Sequence, residues 1–352
     1  MREIRSAKPL RLLQVGLGGW GRDWAWRIVP GVRSVRLVGC VDLSPESLEL
    51  AKRELKLPAG RFFSSLERGL DSTDPDAVLV TTLLPGHLSV TRAALEAGKD
   101  VLVEKPFAPS LAGAVALVRL AAERGRTLMV SQNYRFFPAV RAVKRIIAEG
   151  KLGELGQIWI EFRRHSPVAQ DGPRTHHAYD QPLLMDMSIH HFDLLRFLLG
   201  REANRVSCYT WNSKWTGFTG PPSASASIEF DGGVTASYRG SWINSGSITP
   251  WAGEWRMQFE HGELFWTSRG EDSTLDDTVV LQRGGRKAEV MALPRLRRID
   301  RWGTLSEFAD AVRQHRVPVS SGRENLGSLA LMFAAVDSAR KRKPVPVRVP
   351  LD

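Results

Sequence analysis

The segment Met185-Asp186-Met187-Ser188-Ile189-His190-His191-Phe192-Asp193 carries the residue types that acid–base chemistry on an alcohol needs. On a helix, Asp186, His190 and Asp193 stand at i, i+4 and i+7 and share one face. An imidazole oriented by a carboxylate titrates near neutral pH and suits a general base. The same spacing also describes an ordinary helix-surface ion pair. A second group, Val101-Leu102-Val103-Glu104-Lys105-Pro106-Phe107, reads as a strand ending in a charged pair and a proline. Ligands of doubly wound sheets bind beyond the carboxyl ends of the strands, where the Lys105 ammonium would meet a reacting hydroxyl.

A third group addresses phosphate. After the apolar run Leu12-Leu13-Gln14-Val15, the residues Gly16, Gly18 and Gly21 fill a G-x-G-x-x-G pattern that also includes Gly19 and Trp20. Gly16 allows a tight turn, Gly18 lets backbone N–H groups approach a pyrophosphate, and Gly21 lets the next helix lie close to the strand. The phosphate would sit at that helix N-terminus. A second apolar run, Val35 to Val41, ends in Asp42, 21 positions after Gly21. A carboxylate there accepts hydrogen bonds from the adenine ribose and disfavours a 2′-phosphate, so NAD is the expected cofactor, with NADP possible. Asp42 also suits the turn before a helix opened by Ser44 and Pro45.

These groups need elements to hold them. Strands are expected at 11–15, 36–41, 77–81, 100–103 and 127–131, alternating with helices at 20–29, 45–55, 86–97 and 110–124. That alternation is the pattern of a parallel sheet covered on both faces, an α/β Rossmann domain over 1–131. From 132 to 352 a helix at 138–149, a long alternating strand at 156–165 and a helix at 185–199 precede short Ser-, Thr- and Trp-rich runs separated by glycines. Those runs predict an α+β domain with a large, mostly antiparallel open sheet, followed by helices at 304–314 and 323–340 and a strand at 345–349. Eight of the 11 tryptophans fall between Trp159 and Trp302, which predicts a broad aromatic sheet face and, covering it, a second subunit in a homodimer or homotetramer.

Composition narrows the class. The chain has 352 residues, 43% hydrophobic and 25% charged, and no apolar run approaches the ~18–20 residues of a membrane helix. No membrane partner and a cytoplasmic setting are expected. Two cysteines exclude a disulfide framework, and Cys40 and Cys208 read as small buried residues. The net charge of +11 comes from scattered arginines, and the one dense run, Arg340 to Lys343, fits a helix C-terminus, so no nucleic-acid partner is expected. Asp186, His190 and either His176 or His177 carry metal-ligating groups but match no zinc spacing, and no metal site is expected.

In order along the chain, six segments resemble the glucose-fructose oxidoreductase, inositol dehydrogenase and MocA (Gfo/Idh/MocA) family of NAD(P)-dependent dehydrogenases. They are Gly16 to Gly21, Thr82 to His87, Glu104-Lys105-Pro106, Asn133-Tyr134-Arg135-Phe136, Gly150 to Leu155, and the D-x-x-x-H-x-x-D of Asp186, His190 and Asp193. The resemblance implies that Lys105, Asp186 and His190 are catalytic and that Thr82, His87, Glu104 and Arg135 lie near the cofactor. It also implies that Tyr134 lies near nicotinamide or substrate, and that the substrate is a sugar, cyclitol or related polyol. Candidate substrate contacts in the second domain are Arg163 and His165 on one strand face and His176, His177 and Tyr179 before the helix. The family's glycine run before the helix aspartate is replaced here by Asp180-Gln181-Pro182-Leu183-Leu184-Met185, which predicts a reshaped pocket floor. Two other readings stand beside the dehydrogenase: a redox-assisted glycoside hydrolase, which shares every motif, and a catalytically inactive cofactor-binding regulator, which need not keep Lys105 and His190 and is disfavoured by their presence.

Overall fold

The computed structural model describes residues 8–166, 177, 179–271 and 273–350. It forms two compact units, one running to Gln132 and taking in Arg301–Leu326, the other comprising Asn133–Asp300 and the chain from Gly327. Among the described residues no helix is long and apolar enough to cross a membrane.

In the first unit, six strands pair in parallel in the order β3-β2-β1-β4-β5-β6. They are β1 (Leu10–Val15), β2 (Val35–Val41), β3 (Phe62–Phe63), β4 (Ala77–Val80), β5 (Asp100–Val103) and β6 (Leu128–Val130). Their central residues are buried apolar runs, as a sheet covered on both faces requires. The crossover helices are α1 (Gly19–Asp23), α2 (Pro45–Glu54), α3 (Leu66–Thr73), α4 (Leu84–Glu96) and α5 (Leu111–Glu123). The α1 helix runs directly into a π turn, Trp24–Ile28, and a 3-10 turn, Val29–Gly31. The spacing at 20–29 therefore marks helical character but not its hydrogen-bond period. Two elements escape the periodicity altogether: β3 has only two residues, and α3 is a short helix capped by the Ser65 side chain. Cys40 and Cys208 are buried free thiols, both pushed up to about 12 by desolvation and so inert.

Against the expected division at 131/132, the first unit runs to Gln132 and Arg301–Leu326 returns to it, so the second unit is interrupted in sequence. The reason is the edge of the sheet. Ser320 accepts from the Val130 N–H at 2.9 Å through its carbonyl and donates its hydroxyl to the Val130 carbonyl at 2.8 Å, satisfying backbone groups that β6 would otherwise leave unpaired.

The second unit is built on a nine-stranded sheet in the order β14-β13-β12-β11-β7-β10-β9-β8-β15. Its strands are β7 (Leu155–Arg163), β8 (Ala203–Trp211), β9 (Ser223–Phe230), β10 (Thr235–Ser241), β11 (Glu254–Phe259), β12 (Gly262–Thr267), β13 (Thr278–Gln282), β14 (Glu289–Val290) and β15 (Val345–Pro346). Only β7 and β10 pair in parallel; every other neighbouring pair is antiparallel. Helices α6 (Pro138–Glu149) and α7 (Ile189–Leu199) follow the expected positions, while α8 (Asp300–Gln314) and α9 (Gly322–Lys341) close the chain.

The aromatic residues do not form one outer face. Trp242, Trp255, Trp266 and Tyr238 are buried, and Trp255 stacks on its cross-strand partner Trp266 at 4.6 Å. Trp159, Tyr209 and Trp211 stand on the exposed side among serines and ion pairs such as Arg239–Glu161 and Arg205–Glu229. Tryptophan content reports total apolar area, and strand alternation decides which face receives it.

Candidate functional site

In the first unit the glycine turn is held from beneath by polar groups inside an apolar strand. Gln14 Nε2 donates to the Gly21 carbonyl at 2.6 Å and to Thr81 Oγ1 at 3.0 Å, and the Thr81 hydroxyl donates to the Gly16 carbonyl at 2.7 Å. Gly16 has φ +98°, and a Cβ there would fall 2.6 Å from the Thr81–Thr82 peptide. A Cβ on Gly21 would overlap the Gly16 carbonyl. At Gly18 and Gly19, by contrast, a Cβ would meet nothing within 4 Å. Two glycines are thus fixed by packing, and the two between them face open space.

The start of α1 has no side-chain cap, which leaves first-turn N–H groups for an anion. Asp42 closes the turn: Oδ2 accepts from the Leu17 N–H at 2.5 Å and Oδ1 from the Ser44 N–H at 2.8 Å. Each carboxylate oxygen keeps a lone pair for a further donor. The turn role of Asp42 thus leaves room on its oxygens for a ribose hydroxyl. Thr82 Oγ1 is buried with no hydrogen-bond partner among the described residues. An open glycine cradle, an uncapped helix start, a strand-end carboxylate and an orphaned hydroxyl fit a dinucleotide.

Other residues expected at the cofactor are supports. His87 is buried and faces two carbonyls, Pro106 O at 2.8 Å from Nδ1 and Thr82 O at 3.0 Å from Nε2, so it ties the loop after β4 to the loop after β5. Desolvation holds its pKa below the usual histidine value. Glu104 is buried: Oε1 accepts from the Trp24 indole at 2.7 Å and Oε2 from the Lys105 N–H at 3.1 Å. It fixes the backbone from which Lys105 projects. Trp20 is half-exposed beside the glycines, and the buried Arg301 guanidinium lies 3.9 Å over its ring while pairing with Asp23 at 2.5 Å.

In the second unit, the tandem histidines part company. His191 is fully buried; Nε2 lies 3.1 Å from the Trp251 carbonyl and Nδ1 3.3 Å from the Tyr238 hydroxyl, which accepts from Ser188 at 2.9 Å. One proton order satisfies the whole chain, from Ser188 through Tyr238 and a neutral His191 to Trp251. Burial accordingly depresses the His191 pKa to about 4. His190 instead stacks flat on Tyr134, with ring centroids 4.0 Å apart and 5° between the planes. Asp186 sits close enough to Tyr134 and Tyr179 to raise both phenols, to which burial contributes most; Tyr179 is pushed up to about 12.

A π turn, Leu184–Ser188, precedes α7, so Asp186 lies in a wider hydrogen-bond period than His190 and Asp193. Asp193 is committed elsewhere. It accepts Arg135 Nε at 2.7 Å, Arg135 Nη2 at 2.5 Å and the Ser328 hydroxyl at 2.8 Å, with both charged side chains 1% exposed. Arg135 is therefore a buried anchor of the neighbouring Tyr134 and not a cofactor contact.

Arg163 and His165 also require correction. Along β7 the inward positions are Ile158, Ile160 and Phe162, and that face continues through the buried Arg164 and Ser166. Arg163 and His165 project from the opposite side, where Arg163 pairs with Glu161 and Glu254. The signal was present in the period-2 pattern: an arginine in register with Ile158, Ile160 and Phe162. His177 is buried, 3.4 Å from Ser166 Oγ and edge-on to Phe218. His176 lies outside the described residues. Gln181, Pro182, Leu183 and Leu184 are buried, with Leu183 packed against Gly240 of the sheet, so they anchor the π turn to the core. Gln14, Thr81, Arg164, Arg269 and Arg301 are residues that the motifs did not reveal; each is a polar residue buried where an apolar one is usual.

Residues 10–132 match the model described as "Oxidoreductase family, NAD-binding Rossmann fold", and residues 140–264 match the "GFO/IDH/MocA C-terminal domain". D-apiose dehydrogenase of Paraburkholderia graminis is 26% identical over 97% of this chain and 91% of its own. The scyllo-inositol 2-dehydrogenase (NAD(+)) of Bacillus subtilis is 26% identical over 97% of each. The fold matches that of an Agrobacterium radiobacter oxidoreductase solved with NAD+, L-tartaric acid and magnesium, with TM-score 0.84 and 20% identity over 97% of this chain and 99% of that one.

Two outcomes follow from the buried groups. Asp193→Leu leaves the Arg135 charge buried without its bidentate partner and should lower stability by about 3–5 kcal/mol in urea unfolding. His191 binds a proton more weakly in the folded chain than in the unfolded one, so its contribution is complete above about pH 6.5 and is lost as pH falls toward 4. The loss is on the order of 3 kcal/mol, and a His191→Gln variant should show a correspondingly flatter decline of unfolding midpoint across that window.

Proposed function

The chain belongs to the Gfo/Idh/MocA family of NAD-binding oxidoreductases, and from that premise we propose that it oxidises a hydroxyl, or reduces the matching carbonyl, of a sugar, cyclitol or related polyol. The observation that carries this reading is the division between the two histidines: His191 is consumed by a hydrogen-bond relay, while His190 presents a ring fixed in plane by Tyr134. A ring held that way loses little freedom when it accepts the proton of a substrate hydroxyl.

Asp42 binds the adenine ribose hydroxyls, the Gly18–Gly19 backbone receives the pyrophosphate, and Thr82 supplies a hydroxyl beside them. NAD, when bound, supplies the acceptor for the hydride that leaves the hydroxyl-bearing carbon. Lys105 donates to the reacting oxygen and stabilises negative charge as the proton departs to His190. Asp186 orients substrate and histidine. In the reverse direction the same groups return the proton. The exposed sheet face bearing Trp159, Tyr209 and Trp211 is proposed as the contact between subunits of a homodimer or homotetramer.

His190→Ala and Lys105→Ala should each lower turnover by at least ~100-fold while NAD binding, read by fluorescence quenching, persists. Near-normal turnover in either variant overturns the assignment. Asp42→Ala should weaken NAD far more than NADP, whereas equal loss removes the ribose role. Product analysis separates simple oxidation from glycoside cleavage, which would release an aglycone.

A further inference from the structure

Arginines in the second unit are buried in two different ways. Arg135 is closed off by a bidentate carboxylate that is itself 1% exposed. Arg164, on the inward face beyond β7, is 7% exposed, yet its ion-pair partner among the described residues is Glu271, whose side chain is 76% exposed. The contact is a single Nη1–Oε1 bond of 2.6 Å, and Arg164 Nε meets no acceptor among the described residues. A buried guanidinium that served stability alone would be expected to have the first arrangement, because each donor left without an acceptor costs free energy.

A second cation shares the same indole. The Arg164 guanidinium lies 4.1 Å from the Trp251 ring and that of Arg269 lies 5.4 Å from it. Arg269 also lies 4.8 Å over Tyr134, the ring on which His190 stacks. Arg269 holds φ +57°, unusual for a side chain of its size, and Asp277 Oδ1 fixes it there by accepting its N–H at 2.9 Å and the Ser268 hydroxyl at 3.0 Å. Two like charges are thereby brought to one ring, one side chain away from His190. The chain's own contacts show what they accept: Glu271 Oε1 takes hydrogen bonds from both Arg164 Nη1 and Trp251 Nε1, the latter at 3.2 Å.

We propose that this cluster is the carboxylate subsite of the substrate, which is therefore a polyhydroxy acid of the aldonic or uronic class, and that Glu271 occupies the arginine until such a carboxylate displaces it. Arg164 and Trp251 bind one carboxylate oxygen, the two donors that Glu271 Oε1 already takes, and Arg269 adds a second positive charge beside the same ring. The assignment of the reacting hydroxyl to His190 rests on the function proposed above; the carboxylate subsite stands on the second unit alone.

Calorimetric titration of the full chain with D-gluconate and D-galactonate, against D-glucitol, D-galactitol and D-glucose 6-phosphate, tests it without requiring turnover. The acids should bind at least ~30-fold more tightly than the alditols, the scale of charged hydrogen bonds. Arg164→Gln should erase that preference, and Glu271→Gln, at an exposed position, should strengthen acid binding more than alditol binding. Acids that bind no better than alditols, a preference for the phosphate ester, or a Glu271→Gln variant with unaltered acid affinity would each overturn the subsite. Turnover with NAD+ then separates the two readings: tight acid binding without oxidation counts against the hydride-transfer assignment alone, whereas oxidation confined to alditols counts against the acid class alone.

Discussion

A buried guanidinium must be met by an anion, and in this protein that requirement positions much of the chemistry. Arg135 and Asp193 meet at two hydrogen bonds with both side chains out of water, and the pair sets the short 3-10 segment Asn133–Phe136 against α7. Tyr134, adjacent to Arg135, is thereby held flat on His190, three residues before Asp193. The same device recurs in the first unit, where Arg301, anchored by Asp23, stacks on Trp20 beside the glycine turn. In each case the charged pair contributes more through the ring it positions than through its own net stability, since desolvation offsets most of the attraction.

Neutral buried groups do comparable work by satisfying one another in a single proton order. Gln14 and Thr81 tie down the carbonyls of the glycine turn, so its shape does not depend on a ligand. Ser188, Tyr238 and His191 form a relay that ends on a backbone carbonyl. A histidine inside such a relay is held neutral and does not take part in proton transfer near pH 7. Its neighbour, one residue earlier in α7, points in another direction because successive helix positions are rotated by about 100°.

Much of the architecture was legible in the sequence because it follows from local periodicity. Five of the six strands of the first sheet, four of their five crossover helices and the long β7 all register as apolar runs or alternations bounded by glycine and proline. Elements set by tertiary context were not legible. The two-residue β3 is a strand only because β2 lies beside it, and the π turns at Trp24–Ile28 and Leu184–Ser188 keep a helical composition while changing the hydrogen-bond period. The return of Arg301–Leu326 to the first unit depends on a sheet edge far away in sequence.

The sequence by itself determined the dinucleotide turn, because the glycine spacing and the acid at the end of the next strand are local patterns. The Gly16 carbonyl that demands Gly21 is five residues away, whereas the Thr81–Thr82 peptide that demands Gly16 comes from a distant strand end. The sequence also placed Lys105 at a strand end and a histidine in α7. The tertiary structure alone decided which polar side chains remain available for chemistry. His190 and His191 are identical in type, Asp186 and Asp193 likewise, and Arg163 and Arg164 differ by one step along a strand. Their fates diverge because availability is fixed by which partners converge on each atom from distant segments, Arg135 on Asp193, Tyr238 on His191, Glu254 on Arg163 and Glu271 on Arg164. Those convergences span tens of residues, a range over which local spacing carries no information.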